Sequence, residues 1–134
     1  MARILVIDDE PAIRHILRVT LETFGHEVIF AEDGLRGIGV ARRQHPELIL
    51  LDLMMPVMDG VSVLDFLAAD DKTSGIPVIV LSAVSFGEQR TRVEQAGAAR
   101  VLSKPFDPDE LAAEVDDVLA ERPAPIEASP PITG

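Results

Sequence analysis

The chain has 134 residues, 47% of them hydrophobic and 26% charged, which is enough for one domain with its own core. Its formal charge of −11 argues against direct contact with nucleic acid, which is bound by Lys and Arg neutralising phosphates. With no cysteine, disulfides, thiolate metal sites and cysteine nucleophiles are excluded, in keeping with a reducing compartment.

Five Phe, no Trp and no Tyr imply an aliphatic core. The N-terminus reaches Asp8-Asp9-Glu10 at once, which leaves no room for a signal peptide, and no apolar run approaches membrane-spanning length. The expectation is a soluble, cytoplasmic protein with no membrane partner.

Arg3 to Ile7 reads as a short apolar strand. Pro11 suits the first turn of a helix, and apolar residues at Ile13, Ile16, Leu17, Leu21 and Phe24 follow the helical spacing up to Gly25, a C-cap candidate. Glu27 to Phe30 is a second strand. Asp33 can cap a helix to about Gln44 with Leu35, Ile38 and Ala41 inward; Gly37 and Gly39 weaken it, and Pro46 breaks it.

Leu48-Ile49-Leu50-Leu51-Asp52-Leu53-Met54-Met55-Pro56 comes next. An uninterrupted apolar run is what a strand covered on both faces looks like. It ends in one carboxylate, Asp52, and Pro56 cannot extend it. Asp59-Gly60 opens a third helix with Val63, Leu64 and Leu67 as its stripe, and Asp70 to Gly75 is a polar loop. Ile76 to Leu81 is a fourth strand ending at Ser82-Ala83. Phe86 to Ala96 is a poorly amphipathic helix stopped by Gly97. Arg100 to Ser103 is a fifth strand, and Lys104-Pro105-Phe106 follows. A last helix begins near Asp107-Pro108, with Leu111, Val115, Val118 and Leu119 inward.

Five strands alternating with five helices predict an α/β fold: a doubly wound, five-stranded parallel sheet with right-handed crossovers and helices on both faces. Residues 1–121 form the single folded domain. Residues 122–134, with four prolines, form a disordered tail or linker.

Asp8 and Asp9, Asp52, Ser82 and Lys104 all fall at strand carboxyl ends. In a parallel sheet these ends share one edge, where open α/β folds place their ligands. Carboxylates held together repel one another unless a cation joins them, and oxygen ligands without Cys or clustered His select a hard ion such as Mg²⁺. A metal, an ammonium and a hydroxyl around one carboxylate can settle a phosphoryl group, and the carboxylate itself can be the nucleophile, giving an aspartyl phosphate. Singly, each residue has a plainer use: Asp8 or Asp9 as a helix cap, Asp52 in a turn, Ser82 as a loop hydroxyl, Lys104 as a solvated lysine. Their coincidence at one edge favours the functional reading. His15, His26 and His45 lack ligand-type spacing. No nucleophile elbow, P-loop or dinucleotide fingerprint occurs.

Over residues 3 to about 121 the chain resembles a response-regulator receiver domain, the CheY-like phospho-acceptor of two-component signalling. The resemblance rests on Val6-Ile7-Asp8-Asp9-Glu10, Leu51-Asp52-Leu53-Met54-Met55-Pro56 with Met58-Asp59-Gly60, Leu81-Ser82-Ala83, Ala96-Gly97-Ala98 and Ser103-Lys104-Pro105-Phe106. It implies a flavodoxin-like sheet of order 2-1-3-4-5. It further implies that Asp52 accepts a phosphoryl group from a sensor histidine kinase or histidine phosphotransfer protein. Asp9, with Asp8 partly through water, Asp52 and the carbonyl of Met54 would hold Mg²⁺. Ser82, Ala83 and Lys104 would form the phosphate-binding and switch set, and the Lys104-Pro105 bond would be cis.

The family's aromatic residue three places before the lysine is Val101 here, so the ring half of the switch is absent. The acid often found one place earlier is Arg100, which weakens analogy to receivers that dimerise through salt bridges on this face. The expected protein is a phosphorylation-controlled module and not an enzyme of small-molecule turnover, a monomer or weak dimer. It acts on an unknown output protein or domain, stand-alone or within a longer chain. The competing reading is an aspartyl-nucleophile phosphatase resembling haloacid dehalogenases. Those enzymes place Asp-x-Asp after the first strand, whereas Asp8 and Asp9 are adjacent.

Overall fold

A computed structural model describes residues 2–53, 60–83 and 87–121. Strands β1 (Arg3–Ile7), β2 (Glu27–Ala31), β3 (Leu48–Asp52), β4 (Val78–Ala83) and β5 (Arg100–Lys104) alternate with helices α1 (Pro11–Thr23), α2 (Gly34–Gln44), α3 (Gly60–Ala69), α4 (Gly87–Gln95) and α5 (Pro108–Glu121). The strands form one sheet in the order β2-β1-β3-β4-β5, every pair parallel. This is the doubly wound fold read from the sequence.

Successive strand side chains point to opposite faces, and the strands divide accordingly. Ile4, Val6, Leu48, Leu50, Ile79 and Leu81 pack with Leu17 and Leu21 of α1 and Leu111, Val115 and Val118 of α5. Leu5, Ile7, Ile49, Leu51, Val78 and Val80 pack on the other face with residues of α2, α3 and α4. Every residue of β3 is buried, as expected of a central strand sandwiched between helix layers.

Several boundaries and faces differ from expectation. Strand β4 begins at Val78, not Ile76, because Pro77 has no N–H for the ladder; its carbonyl still accepts from Ile49 N at 3.0 Å. The strand runs on through Ser82 and Ala83. On α1, Ile16 and Phe24 are exposed, and the inner face is Leu17, Thr20 and Leu21. Phe24 is already the C-cap, and Gly25 (φ 90°) takes the left-handed turn after it.

On α2, Leu35 points outward at 62% exposure, and the buried face is Gly34, Gly37, Ile38 and Ala41. Asp33 caps this helix, accepting from Arg36 N at 2.8 Å. Gly37 has a packing role: a Cβ there would lie 2.4 Å from Cδ1 of the fully buried Ile7. The absent side chain lets α2 close onto β1.

Gly37→Ala is therefore expected to destabilise the protein by about 1–3 kcal/mol through overpacking, despite the better helix propensity of alanine. Gly39→Ala would meet only the mobile guanidinium of Arg43 and should be neutral or stabilising by up to about 1 kcal/mol. Urea unfolding of both variants checks this; equal stabilities would overturn the packing role of Gly37.

Candidate functional site

The candidate site grows out of the carboxyl edge of the sheet. Asp52 is the last residue of β3, in register with Leu81, and Leu53 N donates to Leu81 O at 3.0 Å. The strand therefore stays paired through its acidic end, and Asp52 is 3% exposed. On one side, Asp8 follows β1 directly, anchored by Asp8 N donating to Ala31 O at 3.2 Å. On the other, Ser82 lies buried in β4, opposite Ser103, and Ala83 pairs with Lys104. The Lys104-Pro105 bond is cis, as the resemblance implied.

Lys104 reaches back across this edge. Its Nζ lies 3.3 Å from Asp52 Oδ1 and 4.0 Å from Asp8 Oδ2. Asp8 is held from several sides: Oδ1 accepts from Glu10 N at 2.9 Å, and its carbonyl accepts from Arg14 Nη1 at 2.8 Å. Its Oδ2 is buried without a hydrogen-bond partner. Burial pushes the Asp8 carboxyl up from 3.8 to about 6; the Glu10 N–H and Lys104 oppose that rise, and Asp52 and Glu10 add to it.

Asp8, Glu10 and Asp52 each offer a carboxylate oxygen within 4.8 Å of the others. An orphaned buried oxygen inside an all-oxygen donor set fits a hard divalent cation such as Mg²⁺. The membership differs from expectation in one residue. Asp9 is exposed and stands outside this group, whereas Glu10, which the sequence reading passed over, stands inside it. Glu10 occupies the N-cap of α1 without a side-chain cap bond. An acid directly before Pro11, next to Asp8 and Asp9, was the available signal. Neither Asp8 nor Asp9 is the cap. Met54 lies outside the described residues. Val101, in register with Val80, is half-buried against the core on the α2–α4 face.

The raised Asp8 value has a consequence for stability without metal. The folded protein holds this proton more tightly than the unfolded chain, so the contribution is full below pH 3.8 and lost as pH rises through about 6. Asp8→Asn should then raise the metal-free melting temperature by several degrees at pH 7.5. The gain should fade as pH falls toward and below 3.8, where Asp8 becomes protonated in both states. Thermal unfolding of both proteins in chelator across this range checks it; a pH-independent difference would overturn the assignment to Asp8.

With this geometry in place, comparison with known proteins is informative. Residues 4–116 match the response regulator receiver domain family. RpaA of Synechocystis sp., a DNA-binding dual master transcriptional regulator, is 41% identical over 89% of this chain and 49% of its own length. PilH of Pseudomonas aeruginosa is 37% identical over 90% of this chain and 99% of its own. The chain thus spans about half the length of the transcriptional regulators it matches. Among solved structures, the chemotaxis response regulator CheY4 of Vibrio cholerae superposes with a TM-score of 0.83 at 30% identity, covering 88% of this chain and 98% of that one. By fold, sequence match and acidic edge, this chain belongs to the response regulator receiver domains of two-component systems.

Proposed function

We propose that Asp52 is the phospho-acceptor, taking a phosphoryl group from the phosphohistidine of a sensor histidine kinase or histidine phosphotransfer protein. The observation that carries this is the Lys104 ammonium 3.3 Å from the buried Asp52 carboxylate, inside a cluster of three acids. An Asp52 oxygen attacks phosphorus, the new P–O bond forms as the P–N bond breaks, and the electron pair leaves with the histidine nitrogen. Lys104 meets charge developing on the phosphoryl oxygens, and Ser82 supplies a hydroxyl donor from the neighbouring strand.

Asp8, Glu10 and Asp52 would hold Mg²⁺, with Asp9 and the Met54 carbonyl as the further ligands that the family resemblance suggests. The ion would neutralise the acids and polarise phosphoryl oxygens. The three carboxylates bring the negative charge that makes this site useful only when a cation or Lys104 offsets it.

In this reading the chain is a signalling module whose only chemistry is its own phosphorylation and dephosphorylation. Its output is a protein-interaction surface biased by the charge change at Asp52. The charge of −11 suggested no contact with nucleic acid, yet RpaA binds DNA. Because the chain spans 49% of that protein, we confine the proposed output of these residues to protein contact, whether they act alone or within a longer chain. No helix among the described residues is long and apolar enough to cross a membrane, which is compatible with the cytoplasmic setting that a kinase partner requires.

Acetyl phosphate with Mg²⁺ should add one phosphoryl group, seen by intact-protein mass spectrometry. The adduct should be absent in chelator and in Asp52→Asn; persistent labelling of that variant would sink the assignment.

Val101 bears on the conformational response to phosphorylation. A valine has no ring to swing inward, so the change should concentrate at Ser82 and not spread equally along β5. Beryllofluoride with Mg²⁺ is expected to shift the Ser82 amide more than the Val101 amide in two-dimensional NMR spectra. Shifts of equal size would contradict it.

A further inference from the structure

Away from the acidic edge, a groove of about 670 Å³ lies between α1 and α2 at the carboxyl end of β2, against Phe30 and Ala31. For a protein of charge −11 its lining is unusual, because it gathers Arg14, Arg18, Arg36 and Arg43. Their states differ. Arg36 is offset by Glu32 at 3.6 Å and Asp33 at 3.7 Å. Arg14 is committed to the Asp8 carbonyl. Arg18 lies over the Phe30 ring, 4.8 Å from its centroid. Among the described residues, Arg14, Arg18 and Arg43 are left without a carboxylate partner, and Arg18 and Arg43 are exposed. At physiological salt the field of distant acids is screened beyond about 8 Å, so these groups set the potential of the groove.

The floor is an edge strand. Strand β2 pairs with β1 alone, and the outer side of such a strand is a template for another extended chain. The cations stand on opposite walls, Arg18 on α1 and Arg43 on α2. Adjacent residues of an extended strand point to opposite faces, so two neighbouring acids can reach one wall each.

We propose that this groove binds an extended acidic segment of a partner protein, which pairs with the β2 edge while two adjacent carboxylates, pointing to opposite faces, meet Arg18 and Arg43. The overall charge of −11 disfavours a nucleic-acid duplex. This site is separate from the acidic cluster and does not depend on Asp52 being phosphorylated.

The test uses the full chain and a fluorescein-labelled octapeptide with a central Glu-Glu pair flanked by valine and serine. Fluorescence anisotropy at 0.15 M salt should show saturable binding that weakens at least tenfold in Arg18→Glu/Arg43→Glu. Arg18→Gln/Arg43→Gln, which only neutralises the pair, should give an intermediate loss, with circular dichroism confirming that both variants fold. Amide shifts on peptide addition should concentrate at Val28 to Glu32. No saturable binding, equal binding by the charge-reversed variant, or shifts centred elsewhere would overturn the proposal. Tighter binding of a single-stranded oligonucleotide than of the peptide, abolished by the same variants, would overturn it in favour of a nucleic-acid groove.

Discussion

Holding a carboxylate at the end of a fully buried strand is the constraint on which the rest of this structure depends. Strand β3 is covered on both faces, and Asp52 closes it at 3% exposure. An ionised carboxylate out of water is costly unless paired. The neighbouring strands answer that cost unevenly: β5 delivers Lys104, but β1 delivers a second acid, Asp8. The edge is therefore short of positive charge, and burial, with a smaller push from Asp52, raises the Asp8 carboxyl to about 6. A site built this way is poised to take up a cation, and a rigid apolar strand keeps its acids from relaxing apart.

Much of this was legible because two strong signals coincide. An unbroken Leu/Ile run announces a central strand, and its polar terminus announces the functional edge. The convergence of Asp8, Asp52, Ser82 and Lys104 follows from parallel pairing, whereas the strand order follows from the family resemblance. What was not legible depended on rotation about a helix axis or on a single backbone angle. Leu35 looks inward by spacing, yet α2 is rotated so that Gly37 meets Ile7. Asp9 and Glu10 are adjacent acids of nearly equal promise. Which one turns toward Asp52 is decided by the path of the chain into α1, with Glu10 at the N-cap.

Gly37 also changes meaning between the two descriptions. By propensity it weakens a helix, whereas in the fold it sets how closely α2 approaches β1. Close packing there fixes the position of Ile7, the residue immediately before Asp8, so a missing side chain on α2 helps place an acid of the candidate site. Stability lost locally in the helix is returned as precision at the strand end.

The β5 side of the molecule is organised differently. Arg100, standing where the family resemblance led one to expect an acid, pairs with Glu114 at 3.3 Å and with Glu121 of α5. Its charge is thus spent within the chain, tying the start of β5 to α5, and Val101 beside it packs into the core on the opposite face. An arginine satisfied internally offers little to a symmetric salt-bridged interface, since forming one would first require breaking these contacts. A valine in the core has no outward rotamer state comparable to that of a ring. Both residues turn this edge inward, which supports the proposal that a change at Asp52 is felt chiefly at Ser82.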